Sequence, residues 1–287
     1  MAIGDRMANT AGDALAAAVD ALEAAGCDTA RLDAELLLAH ATGWDRARIA
    51  AEPERRLPVG ASRGFAEMVR RRIRREPVAY IVGRKGFRRI EVLVDRRVLI
   101  PRPETELLVE LALELRPGHV LDVGTGSGAI ALAVADELPE TRVTAIDTAF
   151  DAVRVAQVNN ERLGLVDRVD VVLRGIDSLS RTVQDGQRFD LLLANLPYVS
   201  EEEWDDLAPE IREYEPRDAL VAGPTGLEAI DGLAEELFEL APRPPVVAFE
   251  VGAGQATAVS ELVGAAGYGE VEVRSDLAGH DRLVVGR

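Results

Sequence analysis

The chain has 287 residues, 47% of them apolar, and a formal charge of -17. These values suit a globular protein of one large domain, or one large and one small, and disfavour a protein whose main partner is a nucleic-acid backbone. No run approaches the roughly 20 apolar residues of a membrane helix, residues 1–10 lack the basic start and apolar block of a secretory signal, and the single cysteine, Cys27, excludes an internal disulfide. We therefore expect a cytoplasmic protein without a membrane partner.

The first part of the chain has apolar residues at helical spacing. Asp28 or Thr29 is placed to cap one of these helices and Gly43 to end it. We predict a small N-terminal helical domain over residues 1–76. Its predicted helices cover residues 11–25, 29–41 and 63–75.

The third of these helices is strongly basic. Residues 55–97 contain 14 basic and 4 acidic residues. The rest of the chain differs, since residues 121–287 hold 13 Lys+Arg and 32 Asp+Glu. The basic stretch is either a solvated helix face or a docking surface for an acidic macromolecule.

A change of period marks the end of the helical domain. From Tyr80 to Ile100 the pattern changes toward a period of two, which predicts a hairpin linker over residues 77–101. Beyond it, strands and helices alternate, and this predicts an α/β domain over residues 102–287 with a seven-stranded, doubly wound sheet. Predicted strands cover residues 120–123, 142–146, 169–173, 190–194, 246–251, 271–274 and 282–285. Predicted helices cover residues 129–138, 151–163, 226–240 and 255–266.

A glycine-rich turn joins the first strand of this sheet to its helix. Glycines at 124, 126 and 128 let the chain turn sharply and let a ligand approach the backbone. The Gly-x-Gly-x-Gly spacing is not the dinucleotide fingerprint, so a nicotinamide dehydrogenase is disfavoured. Asp122 and the carbonyls of the turn are placed to accept hydrogen bonds from the ammonium group of an amino-acid-bearing cofactor.

Asp147 ends the next predicted strand. An acid at this place accepts hydrogen bonds from both ribose hydroxyls of a nucleotide, or it caps the turn that follows. Together with the glycine-rich turn, it predicts an adenosyl cofactor.

The fourth strand of the sheet runs into Asn195-Leu196-Pro197-Tyr198. The Asn195 side-chain oxygen and the carbonyl of residue 196 are two acceptors for the two hydrogens of a planar NH₂ group. These hydrogen bonds localise the nitrogen lone pair and aim it at a methyl group on a sulfonium, so positioning supplies much of the rate. Tyr198 is placed to stack on the flat group and exclude water. A plain strand-to-loop turn is the other interpretation of this tetrapeptide.

These motifs together resemble the release-factor glutamine methyltransferases. That family methylates the glutamine amide of the Gly-Gly-Gln loop in bacterial class 1 peptide chain release factors. The stretch Pro101-Arg102-Pro103-Glu104-Thr105-Glu106 is the most family-specific part, and residues 32–40 and 76–83 also fit. The Asn-Pro-Pro-Tyr type of motif is shared with DNA adenine and other amino-group methyltransferases.

The resemblance implies S-adenosyl-L-methionine as the cofactor. It implies that Asn195 binds the glutamine amide beside the carbonyl of Leu196, that Pro197 and Tyr198 shape the pocket, and that Asp147 holds the ribose. The implied cofactor contacts are Asp122, Gly124, Thr125, Gly126, Ser127, Gly128, Asp147, Asp177 and Asn195. We expect no metal site, because His40, His119 and His280 are scattered along the chain.

The chain departs from the family pattern at two places. The family's second tetrapeptide residue is usually proline, and Leu196 keeps the backbone carbonyl but not the fixed backbone angle of proline. The family usually has an acid directly behind a glycine or serine after the third sheet strand. Here Ile176 stands between Gly175 and Asp177, which affects the adenine-side contacts.

The resulting hypothesis is a protein-glutamine N-methyltransferase that binds release factors through its N-terminal domain and the basic Arg63–Arg75 segment. We expect a monomer without a direct nucleic-acid partner. The alternatives are an amino-group methyltransferase acting on DNA or RNA, and a catalytically impaired cofactor-binding paralogue because of Leu196. The acidic second part of the chain disfavours the nucleic-acid enzyme.

Overall fold

The computed structural model describes residues 10–179 and 188–287, which divide into two compact units. One unit runs to Gly83 and also includes Ala208–Tyr214, and the other contains Arg84–Leu207 and Glu215–Arg287. The start of the predicted N-terminal domain, residues 1–9, lies outside the described residues.

The first unit is helical, as the sequence predicts. Its core is built from alanine and leucine side chains of the two N-terminal helices, such as Ala34, Leu22 and Leu37, together with Phe65. The predicted boundary between residues 76 and 77 falls inside this unit, just before its fifth helix. The helices are α1 (Ala11–Ala24), α2 (Ala30–Thr42), α3 (Arg46–Ala51), α4 (Ala61–Ile73) and α5 (Val78–Val82).

Local capping defines the ends of the first two helices. The Thr10 hydroxyl accepts a hydrogen bond from the Asp13 N–H at 3.2 Å and caps α1. Gly43 ends α2 in the left-handed conformation at φ 70°, as predicted. Thr29 stands at the start of α2, but its hydroxyl donates to the Asp33 carboxylate at 2.8 Å and does not cap the helix.

The second unit opens with an antiparallel hairpin and continues as an alternating α/β domain. The hairpin strands are β1 (Arg84–Phe87) and β2 (Ile90–Leu93). The helix α9 (Pro209–Tyr214) interrupts this unit in the chain order and belongs to the helical unit. The elements of the second unit that follow the hairpin are α6 (Glu106–Leu115), β3 (His119–Val123), α7 (Ala129–Glu137), β4 (Arg142–Asp147), α8 (Phe150–Leu163), β5 (Val169–Leu173), β6 (Leu191–Ala194), β7 (Val199–Ser200), β8 (Val221–Gly223), α10 (Glu228–Glu239), β9 (Val246–Glu250), α11 (Ala256–Ala265), β10 (Val271–Ser275) and β11 (Asp281–Gly286).

A seven-stranded sheet organises this unit in the order β10-β11-β9-β6-β3-β4-β5. The strands from β9 to β5 are parallel, whereas β11 is antiparallel to both β9 and β10. The predicted seven-stranded, doubly wound sheet is therefore confirmed. The chain winds outward from β3 in both directions, so the strand order reverses there, and ligands of such sheets bind at that point on the carboxyl edge.

The helix that follows β3 is buried along most of its length. Every residue from Ala129 to Ala135 is buried, which explains why this part of α7 lacks a polar face. The start of α7, where free N–H groups face the carboxyl edge of the sheet, is therefore held firmly in place.

The short helix α9 belongs to the helical unit although the chain reaches it from β7. Arg72 on α4 donates to Asp33 at 2.7 Å and to Glu210 on α9 at 2.8 Å, and its side chain is only 6% exposed. Arg75 also donates to Glu210, at 2.7 Å. Burial alone would raise the pKa of Glu210, but the hydrogen bonds from Arg75 and Arg72 hold that pKa below its usual value.

This ion-pair network changes the interpretation of the basic segment. Arg72 and Arg75 face Asp33 and Glu210, and Arg71 pairs with Glu76 at 2.7 Å. These three arginines hold the helical unit together, so they do not form the free basic surface that the sequence suggested. No helix in the ranges 10–179 and 188–287 has the length and apolar character needed to cross a bilayer.

We expect Glu210→Ala to lower the unfolding free energy of the helical unit by about 2–4 kcal/mol, because it leaves the buried Arg72 guanidinium only partly paired. Glu213→Ala in the same helix is the matched control, since Glu213 is exposed. Urea unfolding of the full chain, followed by Trp44 fluorescence in a Trp204→Phe background, measures both variants. Equal stability of the two variants would contradict a stabilising role for the network.

Candidate active site

The two predicted motifs meet at the carboxyl edge of the sheet because β3 and β6 are neighbours. Val123 pairs with Ala194, so Gly124 and Asn195 leave adjacent strands side by side. Gly124 has a φ of 76°, and a Cβ built on it would lie 3.0 Å from Leu196 Cδ2 and 3.2 Å from the Asn195 carbonyl oxygen. Only glycine tolerates both the backbone angle and this close approach.

The glycine-rich turn has a defined shape. The N–H groups of Gly124 and Thr125 both donate to the Ile146 carbonyl, at 2.9 and 3.0 Å. Gly126 has a φ of 56°, and a Cβ there would have open space around it, with its nearest neighbour 4.0 Å away. Gly128, in contrast, packs tightly against Leu132. The open side of the turn is therefore at Gly126.

A cavity of about 490 Å³ lies over this edge. Of the residues that the sequence singled out, those that line it are Gly124, Gly126, Asp147, Asn195, Leu196 and Pro197. The structure thus brings the glycine-rich turn, the acid at the end of β4 and the tetrapeptide to one cavity. The predicted residues that do not line it are Asp122, Thr125, Ser127, Gly128, Asp177 and Tyr198.

Asp122 lies beneath the turn and is fully buried. Its Oδ2 accepts hydrogen bonds from the Thr125 hydroxyl at 2.6 Å and from the Ala131 N–H at 3.3 Å, so it ties the turn to α7. Burial raises its pKa to about 7. Among the described residues, Oδ1 has no hydrogen-bond partner. A contact from Asp122 to the ammonium group of a cofactor stays a prediction.

Asp147 has two roles in the geometry of the site. Its Oδ1 accepts from the Ala149 N–H and its Oδ2 from the Gly126 N–H, both at 2.9 Å, so it caps the turn before α8 and fixes the glycine-rich turn. Burial raises its pKa although these backbone hydrogen bonds oppose the change. The Thr148 N–H also favours the ionised form, and the carboxylate keeps a lone pair for a further donor in the cavity.

The residues at which the chain departs from the family pattern after the third sheet strand, Gly175 to Asp177, lie at or beside the main cavity. Gly175 and Asp177 line a neighbouring cavity of about 470 Å³ together with Thr148 and Arg174, which also line the main one. Ile176 occupies the wall of the main cavity instead. Asp177 is therefore near the predicted cofactor site, but across a shared wall.

Two side chains support the tetrapeptide from behind. Asn195 Nδ2 donates to the buried Thr105 hydroxyl at 3.1 Å, which joins the tetrapeptide to the family-specific Pro101–Glu106 stretch. Gln255 Nε2 donates to the Tyr198 carbonyl at 2.8 Å. The Tyr198 ring packs against Gly252, where a Cβ would lie 3.1 Å from the ring. Burial raises the pKa of Tyr198 to about 12, and the nearby Glu250 adds to this.

Sequence reasoning missed three residues of this support: Gln255, Glu215 and Glu250. Glu215 is buried, accepts from the Ile100 N–H at 3.0 Å and pairs with Arg102, so it anchors the Pro101–Glu106 stretch. Glu250 is a buried acid at the end of β9, and burial raises its pKa to about 7. An acid that ends an otherwise apolar strand, as in Val246–Glu250, was the available signal for it.

The residues of the cavity fit an adenosyl cofactor. Gly126 leaves space where a side chain would stand, Asp147 offers carboxylate lone pairs, and the volume lies in the range of small-molecule sites. In the described parts of the chain, no three His, Cys, Asp or Glu side chains are grouped to hold a metal ion.

Solved structures with a similar fold are methyltransferases. The hMettl16 catalytic domain, in complex with MAT2A 3'UTR hairpin 6, aligns with a TM-score of 0.57 at 16% identity over 68% of this chain and 74% of that chain. The human methyltransferase 10 domain containing protein aligns with a TM-score of 0.50 at 16% identity over 68% and 88%. These likenesses establish the methyltransferase fold.

Relatives found by sequence have higher identity to the chain and cover more of it than these structures do. The PrmC N-terminal domain matches residues 13–83, and a methyltransferase domain matches residues 120–214. The release factor glutamine methyltransferase of Caulobacter vibrioides is 42% identical over 94% of this chain and 93% of its own length. The enzyme of Rhodopirellula baltica is 40% identical over 90% of this chain and 90% of its own length. The enzyme of Chlorobaculum tepidum is 41% identical over 89% of this chain and 89% of its own length. The chain belongs to the release factor glutamine methyltransferase family.

Proposed function

We propose that this protein transfers a methyl group from S-adenosyl-L-methionine to the side-chain amide nitrogen of the glutamine in the Gly-Gly-Gln motif of class 1 peptide chain release factors. The observation that carries the proposal is the meeting of Asn195, Leu196 and Gly124 at one cavity in a chain of this family. We expect the enzyme to act in the cytoplasm, as a monomer.

The chemistry needs a glutamine nitrogen held in line with an electrophile. When bound, S-adenosyl-L-methionine supplies a methyl group on a sulfonium. Asn195 Oδ1 and the Leu196 carbonyl accept the two hydrogens of the planar amide, which localises its lone pair and fixes its direction. No base has to act first, because the nitrogen loses its proton after methylation.

The cofactor would be held by the residues that line the cavity. Gly124 and Gly126 let it approach the backbone, and Asp147 accepts from its ribose hydroxyls. Asp122, Thr125, Ser127 and Gly128 would act mainly by shaping the turn. Asp177 would act from the neighbouring cavity, on the adenine side.

The nucleic-acid alternative is not favoured. The release factor glutamine methyltransferases match this chain over 89–93% of their own length. The second part of the chain, with 13 Lys+Arg and 32 Asp+Glu, would repel a phosphate backbone.

Labelled cofactor with purified release factor tests the assignment. We expect label on the factor and none when its Gly-Gly-Gln glutamine is replaced by alanine. Asn195→Ala in the enzyme should lower kcat by about 10²–10³-fold, because it removes one of two acceptors that act in the transition state. Label on both factors would overturn the glutamine assignment.

Leu196 replaces proline, but its buried side chain anchors the same backbone. It is 5% exposed and belongs to the apolar cluster of the second unit. We expect Leu196→Pro to keep kcat within about threefold of wild type. The proline ring would then restrain the backbone in place of the buried leucine side chain, and a compatible proline stabilises a fold by roughly 0.4–1 kcal/mol. Leu196→Ala, which has neither restraint, should lose about tenfold. A gain of tenfold or more in Leu196→Pro would favour the impaired-paralogue alternative.

The helical unit keeps an exposed basic stripe for docking. Arg63, Arg70 and Arg74 are exposed, and their spacing of seven and four residues places them on one face of α4 and its C-cap. Arg70 pairs loosely with Glu67 at 3.2 Å. We propose that this stripe, and not Arg71, Arg72 and Arg75, holds an acidic face of the release factor.

Charge reversal tests the docking role. We expect Arg63→Glu with Arg74→Glu to lower kcat/KM on the whole release factor by about fivefold to tenfold, mainly through slower association. A short Gly-Gly-Gln peptide should be methylated as by wild type. The matched control is Arg116→Glu with Arg154→Glu, which reverses two exposed arginines of the other unit. Equal losses on factor and peptide would reject the docking role.

A further inference from the structure

A buried carboxyl group lies behind the tetrapeptide. Glu250 is the last residue of β9, the parallel neighbour of β6, and the pairing of Phe249 with Ala194 puts it at the level of Asn195. It is 3% exposed, and among the described residues its Oε2 has no hydrogen-bond partner. A buried acid without a salt bridge is costly to the fold, which points to a role in function.

Thr105 stands between Glu250 and Asn195. Its hydroxyl accepts from Asn195 Nδ2 at 3.1 Å. The Glu250 carboxyl group lies close enough to Thr105 for that residue to favour its ionised form. Thr105 is itself 3% exposed. The three side chains therefore form a line from the sheet interior to the wall of the cavity.

Only one arrangement of the Thr105 hydroxyl hydrogen and the Asn195 amide gives each of these three side chains a hydrogen-bond partner in the line. The Thr105 hydroxyl has a single hydrogen, and an ionised Glu250 offers only acceptors. When that hydrogen goes to Glu250, Thr105 can only accept from the Asn195 side, so the Asn195 NH₂ must face Thr105. The Asn195 oxygen then faces away from Thr105. Without Glu250, the hydroxyl would turn to the Asn195 oxygen and reverse the amide.

We propose that Glu250 and Thr105 are positioning residues that fix the orientation of the Asn195 amide, so that its oxygen and not its NH₂ group meets the substrate nitrogen. The proposal rests on the proposed function, in which Asn195 accepts from the glutamine NH₂ group. A reversed Asn195 would set donor against donor, and the glutamine would lose one of its two acceptors.

The charged groups around Glu250 are few. Arg102 and Arg282 favour its ionised form, Glu104 opposes it, and the Tyr198 hydroxyl is close enough to be affected by its charge. Assays at pH 8 or above keep the carboxylate ionised, because burial raises its pKa only to about 7.

The first pair of variants separates the hydroxyl from the shape of Thr105. Thr105→Val keeps the shape and removes the hydroxyl, and it should lower kcat on a Gly-Gly-Gln peptide by about 30-fold, within the range for residues that orient a functional side chain. Thr105→Ser keeps the hydroxyl and should stay within about threefold of wild type. Cofactor Kd, measured by calorimetry, should change little in both. Equal kcat in Thr105→Val and wild type would overturn the proposal.

The second pair separates positioning from stability. Glu250→Leu removes a lone buried carboxyl, so its Tm should equal or exceed that of wild type, while kcat falls by about 30-fold. Glu250→Gln, which still offers an acceptor but also a donor, should fall between Glu250→Leu and wild type. A parallel loss of Tm and kcat in Glu250→Leu would mean a purely structural role and would reject the proposal, even if Thr105→Val failed to fold.

The double variant completes the test. If the line acts as one unit, Thr105→Val with Glu250→Leu should be no more than about twofold slower than either single variant, whereas independent effects would multiply. Multiplied losses would overturn the proposal.

Wild-type enzyme assayed on the same peptide separates failure of the positioning role of Glu250 and Thr105 from failure of the proposed function. No methylation by wild type would refute the proposed function, whereas normal methylation by wild type and by all variants would refute only the positioning line.

Discussion

The close approach between Gly124 and the chain leaving β6 determines the geometry of the candidate site. Adjacent parallel strands bring the two segments within van der Waals contact, and a side chain at position 124 would collide with Leu196 and the Asn195 carbonyl. The glycine-rich turn and the tetrapeptide are therefore fixed relative to each other by backbone packing. Methyl transfer requires in-line geometry, so a site on rigid strand ends suits the reaction better than one on free loops.

Buried charges are treated differently in the two units. In the helical unit, Arg72 is fully paired with Asp33 and Glu210, and this network stabilises a segment that is distant in sequence. In the other unit, Asp122 and Glu250 are buried and form no ion pair with any residue that the structure describes, and burial raises the pKa of each to about 7. Such carboxyl groups weaken a fold, and both lie at the edge of the sheet where the motifs meet.

Local patterns predicted the long elements well, and contacts between distant residues account for the differences. The strand at Val169–Leu173 has the predicted bounds because valines dominate it, although only Val169 among its residues is buried. The short helices α3 and α5 have too few residues to show a period. The burial of Arg72 depends on Glu210, which is 138 residues away, so the sequence showed only a basic run. The glycines and Asn195 were found from motifs, whereas the role proposed for Glu250 depends on Thr105, which is 145 residues before it in the chain.

Leu196 shows how one restraint can replace another at a functional position. Proline restrains a backbone through its ring, and this contributes roughly 0.4–1 kcal/mol. Leu196 buries its side chain in the apolar cluster that includes Val123, Ala194 and Val251, and complete burial of a leucine contributes about 1.5–3 kcal/mol. The stability that proline would add at this position is therefore no larger than the stability that burial of Leu196 contributes. Because the Leu196 side chain packs directly against Gly124, the restraint also ties the position of its carbonyl to the glycine-rich turn.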